Sequence, residues 1–189
     1  MRSRWMWLSL VLVLVMPAAA QPPRGELSLS YSRMRANAPV GGCGCFSLNG
    51  GNAAATWNAS PRLGLVGEFG ATHASGILLN YQDLTVVSYL FGPRLYLLSR
   101  EKAERKRISP FAQVLLGGAH ASGLLAGVNN DSSNSFAFKA GGGLDVAIRR
   151  RVALRAFQAE YFHTRFPNGV NDHQNILLLS AGVVFRFGK

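Results

Sequence analysis

The stretch SFAFKAGGGLDVAI, residues 135–148, decides the fold. Phe136, Phe138, Ala140, Gly142, Leu144, Val146 and Ile148 share one parity, while Lys139, Gly141, Gly143 and Asp145 share the other. A period of two belongs to an extended strand, whose successive side chains point to opposite faces. One face here is apolar from end to end, and the other holds a lysine, an aspartate and glycines. A one-sided sheet in water would turn the charged face outward. A membrane barrel reverses this, with the apolar face toward lipid and the charges in a lumen where opposite signs can pair.

The same alternation recurs outward from this segment. Strands are expected at 25–34, 45–57, 62–73, 83–98, 108–121, 151–164 and 175–187, which makes eight with 135–148. At 83–98, Val87, Tyr89, Phe91, Leu95 and Leu97 oppose Ser88, Gly92, Arg94 and Tyr96. No amphipathic helix separates the strands, and no later uncharged apolar run nears the ~20 residues of a spanning helix. Eight strands of about 11 residues use roughly 88, which leaves room for seven connections and two ends but for no further domain.

Composition narrows the alternatives. The chain has 189 residues, a formal charge of +11, two cysteines, 21 glycines and 48% hydrophobic residues. The apolar fraction excludes a disordered chain, and the cysteine count excludes a disulfide scaffold. A channel of sixteen or more strands would consume almost the whole length.

Residues 1–20 read as a cleavable signal peptide. Arg2 and Arg4 precede the apolar run WMWLSLVLVLVM at 5–16, Pro17 breaks it, and Ala18 and Ala20 form a small-x-small cleavage site before Gln21. Residues 21–189 then form one barrel domain. Cleavage removes two arginines and no acid, so the charge falls from +11 to +9. Export argues against nucleic acid as the partner.

If the first strand runs outward, Trp57, Phe111, Phe185 and Phe187 fall at the inner, periplasmic end. Phe46, Phe136, Phe138, Phe162 and Phe166 fall at the outer end. Two aromatic belts are expected where rings sit at headgroup level. The inner turns are 58–61, 99–107 and 149–151, and the outer loops are 35–44, 74–82, 122–134 and 165–174. The basic runs SREKAERKR at 99–107 and Arg149-Arg150-Arg151 read as solvated turns, in reach of anionic headgroups.

With these features the chain resembles small eight-stranded outer-membrane barrels of the OmpA-type or OmpX-type, over essentially all of 21–189. LFGPRLYL at 90–97, SPFAQVLLGGAHAS at 109–122 and SAGVVFRFG at 180–188 resemble the outer-membrane β-barrel domain family without assigned activity. The resemblance implies an all-β, antiparallel, up-and-down transmembrane barrel in the bacterial outer membrane, and a monomer. A closing strand ending in an aromatic is similar to the signal read by the barrel-assembly machinery. Phe185 and Phe187 fit it, although Gly188 and Lys189 follow. The family implies location and fold, and no reaction.

Few residues invite chemistry. Glu68, Arg94, Lys139, Asp145, Arg155 and Glu160 are expected as a lumen charge network that fills the barrel, with a narrow pore for small solutes as the alternative. Strict alternation from Arg155 would turn Glu160 toward lipid, so a β-bulge near Phe157–Ala159 is expected to return it. Cys43 and Cys45 flank one glycine in or beside the first outer loop. In an exported chain a strained local disulfide is favoured over a metal contact or an intermolecular bridge. His73-Ala74-Ser75 and His120-Ala121-Ser122 repeat an H-x-S pattern that lipid A deacylase barrels use, but no acid stands where it would orient the histidine. No phosphate loop, metal cluster or paired-carboxylate site is present, so no cofactor and no catalysis are expected. The expected role is structural or surface contact, carried by the outer loops, with outer-membrane lipids as partners. A soluble lipocalin-like barrel is the rival fold, and it would have an apolar interior and a polar exterior.

Overall fold

The computed structural model describes residues 25–37, 45–77, 82–98, 100–123, 132–166 and 174–188. Residues 1–20 and Cys43 lie outside them, and Cys45 opens the second strand. The strands are β1 Gly25–Asn37, β2 Cys45–Asn58, β3 Leu63–Ile77, β4 Gln82–Tyr96, β5 Ile108–Gly123, β6 Ser132–Arg149, β7 Val152–Thr164 and β8 Gln174–Phe187. Each pairs antiparallel with its neighbours in the chain, and β8 closes on β1, giving an up-and-down closed barrel.

The connection at 99–107 is not the irregular turn expected. It contains α1, Arg100–Lys106, one short helix between β4 and β5. Its sequence, REKAERK, is made of strong helix formers, with Glu101 four residues before Arg105. Arg107 ends it in the left-handed region at φ 57°, where its carbonyl accepts from the Ala147 amide at 2.8 Å. The turn between β2 and β3 is tied by the Ser60 hydroxyl, which accepts the amides of Arg62 and Leu63 at 3.3 and 3.0 Å. These connections and both ends of the barrel chain, Gly25 and Phe187, mark one rim, the near end. The opposite rim is the far end.

The register fixes the stagger. Gly25 faces Trp57, then Leu65, Pro93, Val114, Ala140, Tyr161 and Leu177, and the path regains β1 at Arg35, ten residues beyond Gly25. A level line round the wall therefore slips a little over one residue toward the near end at each strand. A barrel of eight strands has an interior just wide enough for side chains.

The outer wall is apolar. Leu27, Leu29, Phe69, Phe91, Leu116, Leu154 and Leu179 are among the large hydrophobic residues exposed on it. The interior is divided. Its far half is a packed apolar plug, including Met34, Leu48, Val86, Leu115, Phe162 and Leu178. In register, Met34 meets Leu48 on one side and Leu178 on the other. Its near half is polar. The expectation of a lumen filled by polar side chains thus holds for one half and is corrected in the other. The polar contacts of the near half use serine, glutamine and tyrosine with the charges, whereas the far half carries aliphatic residues and Phe162, with small hydroxyls such as Thr72 and Thr164 among them.

Candidate functional site

The inward rows bring all six expected lumen charges to the interior. Glu68 on β3, Arg94 on β4, Lys139 and Asp145 on β6, and Arg155 and Glu160 on β7 are each no more than 4% exposed. Lys139 Nζ donates to Glu68 Oε1 at 2.5 Å across the lumen. Arg155 grips Asp145 with both arms of its fork, Nε to Oδ1 at 2.8 Å and Nη2 to Oδ2 at 3.1 Å. Its remaining Nη1 donates to Gln158 Oε1 at 2.9 Å and to Ser28 Oγ at 3.4 Å. Arg94 donates from Nε and Nη2 to Gln113 Oε1, at 2.8 and 2.6 Å. The amide of that glutamine donates in turn to Glu160 Oε1 at 2.7 Å. Gln113 therefore relays between a cation and an anion that do not touch.

Glu160 reaches the interior through a bulge. Arg155 pairs with Asp145 and Phe157 with Leu144, so Ala156 is the extra residue, and the same break shows against β8 between Arg155 and Gln158. The irregularity sits at Ala156–Phe157, slightly before its expected place. Both Gln158 and Glu160 turn inward as a result.

Three aromatic residues expected in the belts are buried instead. Phe111 is 2% exposed and Phe162 is fully buried. Phe111 shares the parity of Gln113, and Phe162 that of Glu160, so both point to the lumen whatever their height on the wall. Phe166 is buried as well. Two guanidinium groups stand over the Phe111 ring, Arg94 at 4.4 Å from its centroid and Arg155 at 4.7 Å. Lys139 stands 5.1 Å over Phe162. Phe111 also faces Gly143 in register, where a Cβ would come within 2.9 Å of the ring. The glycine at 143 leaves room for the ring.

Sequence reasoning, which turns Tyr96 and Arg186 inward, misses Glu26 and Asn58, which join them in a second polar group at the near end. Tyr96 donates from its hydroxyl to Glu26 Oε2 at 2.9 Å and lies 3.2 Å from Asn58 Oδ1, while Arg186 Nε is 3.3 Å from Glu26 Oε1. The parity of Glu26 with Ser28 and Ser30 was the available signal. With these added, the interior holds four cations, Arg94, Lys139, Arg155 and Arg186. Four anions, Glu26, Glu68, Asp145 and Glu160, offset them.

Trp57, Phe185 and Phe187 do stand on the outer wall at the near end, beside Gly25 and Leu27 in register. Phe136 is exposed toward the far end and Phe138 half-buried on the same outer face. Tyr31, Tyr89 and Tyr161 join them on that face. Phe46 lies on β2 opposite Ala36.

The two H-x-S histidines have neutral partners. His73 Nδ1 is 2.9 Å from Thr85 Oγ1, and His120 Nδ1 is 2.9 Å from Asn134 Oδ1. Neither pair contains the carboxylate that would orient a catalytic base. No group of three or more metal-ligating side chains occurs among the described residues.

No protein-family model and no curated protein matches the chain. Solved structures do. The chain is similar to Neisserial surface protein A, with a TM-score of 0.64 at 16% identity over 89% of this chain and 100% of that one. It is also similar to OprG, an outer membrane protein from Pseudomonas aeruginosa, with a TM-score of 0.54 at 10% identity over 90% and 99%. Ail, the attachment invasion locus protein of Yersinia pestis, solved with the heparin analogue sucrose octasulfate, gives 0.51 at 17% identity over 86% and 99%. The chain has the fold of the small eight-stranded outer-membrane β-barrels.

Proposed function

We propose that the protein is an integral outer-membrane barrel whose body is a closed anchor and whose far-end connections make surface contacts. The carrying observation is the interior. Three buried cations and a half-buried fourth, Arg186, offset four buried anions, and an apolar plug from Met34 to Phe162 lies toward the far end. A hydrophobic constriction excludes water, and ions do not follow where water is absent. The outer wall supports the membrane setting, because its apolar band is the inverse of a soluble lipocalin-like barrel. The near end then faces the periplasm, with the basic turns there. The role is non-catalytic, in keeping with the neutral partners of His73 and His120. The last strand, β8, with Phe185 and Phe187 on its outer face, is the segment offered to the assembly machinery.

Gel mobility in SDS, unheated against boiled, and single-channel recording in planar bilayers test this reading together. The expected outcome is a mobility shift on boiling and no steady conductance. Ohmic conductance from the folded barrel would replace the closed anchor with a narrow pore. A soluble periplasmic protein with no shift would overturn the membrane setting.

A further inference from the structure

The outer wall of β1–β3 carries an open groove of about 440 Å³. Its floor is small because β2 presents Gly51 and Ala53 there, and β3 presents Ala71. Leu29 and Tyr31 of β1 form one bank and Phe69 of β3 the other. In register the groove consists of two cross-strand rows, Tyr31–Gly51–Ala71 and Leu29–Ala53–Phe69. The next row toward the far end is Arg33–Asn49–His73.

That row is a set of donors. Arg33 is exposed and has no partner among the described residues. Tyr31 donates its hydroxyl to Asn49 Oδ1 at 3.0 Å, which leaves the Asn49 amide as a donor. His73 is held by Thr85 through Nδ1, so Nε2 is its other polar atom. Arg35 stands one turn of the pleat beyond, on the same face. Asp83, at the start of β4, is the one acid among the described residues on the far half of the outer wall. An apolar furrow ending under cations and amide donors is complementary to an acylated phosphate.

We infer that this sector is a binding site for a phosphorylated glycolipid of the outer leaflet, with an acyl chain in the groove and a phosphate at Arg33, Asn49 and His73. The inference rests on the outer-membrane reading, since only that orientation brings the row to outer-leaflet headgroups. Arginine suits the task because its fork meets two phosphate oxygens at once. The molecule supplies its own control. The stagger places His120 and His163 close to the height of His73, and each is paired through Nδ1 to a cross-strand asparagine, Asn134 or Asn175, at 2.9 Å. The described groove lies under His73 and not under them.

The test is native mass spectrometry of the full barrel in a zwitterionic detergent with added bisphosphorylated lipid A. One retained lipid per barrel is expected. R33Q/H73Q should lower retention about tenfold, and A53L, which fills the groove without touching charge, should do the same. H120Q/H163Q should leave it unchanged. Lipid A stripped of phosphate should be retained at least tenfold less, and inorganic phosphate should not compete. Equal retention of the stripped lipid, indifference to both R33Q/H73Q and A53L, or an equal loss in H120Q/H163Q would each overturn the site. All these variants face outward, and the boiling shift verifies that each is folded. A wild-type barrel that shifts on boiling but retains no lipid overturns the site and leaves the membrane reading standing. A wild-type chain with no shift overturns both.

Discussion

Phe111 shows what a single residue does in this interior. Its ring is approached by two guanidinium groups, of Arg94 and Arg155, and its edge lies against the gap left by Gly143. A buried cation over an aromatic face gains about 0.5–2 kcal/mol. Phe111→Leu keeps much of the apolar volume and loses both cation–ring contacts, so stability should fall by about 1–3 kcal/mol, measured by urea unfolding in micelles. Unchanged stability would mean that the two arginines rest on the ring without gaining from it. The pair Lys139 and Glu68 makes the complementary case. Lys139→Met leaves Glu68 buried without its cation, at a cost of about 3–5 kcal/mol, and Glu68→Gln leaves Lys139 with Glu160 still in electrostatic reach, at a smaller cost. In the double variant the loss should fall short of the sum of the two by about 1–3 kcal/mol. Strict additivity in that cycle would show that the two groups do not interact. At this scale the charges were legible in the sequence and the aromatics were not. Lys139 and Glu68 stand out because their parity is otherwise small or apolar. Height along the strand points Phe111 and Phe162 to a belt, since each is an aromatic near a strand end. Their parity, shared with Gln113 and Glu160, decides the matter.

Among the elements, β7 carries the decisive irregularity. Without an extra residue, Arg155 and Glu160 cannot share a face, because they are an odd number of positions apart. That argument requires a bulge between them and says nothing of where. The structure puts it at Ala156–Phe157, which also turns Gln158 inward to accept from Arg155 Nη1 at 2.9 Å. A glutamine tolerates either face, so the sequence holds no signal for this choice. Deleting Ala156 should restore strict alternation and turn either Arg155 or Glu160 outward. A charge facing lipid at the midplane costs up to about 2–4 kcal/mol, and the buried partners left behind add to it. The deletion variant should therefore fail to give the folded, fast-migrating band in unboiled gels. A normal band with native stability would mean that β7 absorbs the register change elsewhere. The helix α1 escaped for a different reason. A seven-residue stretch of good helix formers between two strands carries no long-range pattern, and its local preference decides the outcome only once the flanking strands are fixed.

Over the whole molecule, charge is sorted by depth. Inside, eight charges, seven of them buried and Arg186 half-buried, offset one another. Outside, the exposed cations lie at the two rims: Arg62, Lys102, Arg105, Lys106, Arg107, Arg149, Arg150 and Arg151 near one, Arg33, Arg35 and Arg165 near the other. The band between them is apolar, which is why the alternating pattern alone sufficed to separate this fold from a soluble barrel. On β1 the outer face runs Leu27, Leu29, Tyr31, Arg33, Arg35, and Gly25 at its start is level in register with Trp57 and Phe187. Leu29 is therefore midway between the near aromatic belt and the native arginines. An arginine placed at the midplane of a bilayer costs about 2–4 kcal/mol, and near an interface about 0–1 kcal/mol. Substituting arginine singly at Leu27, Leu29 and Tyr31 should give a peaked profile in lipid vesicles, greatest at Leu29 and falling toward Tyr31. Equilibrium unfolding in urea reads it directly. The same three variants in micelles should show a shallower peak, because detergent deforms around a charge more readily than a bilayer. A flat profile in vesicles would place this wall against something other than a lipid bilayer, since no uniform surroundings can make the cost of one charge depend on its height.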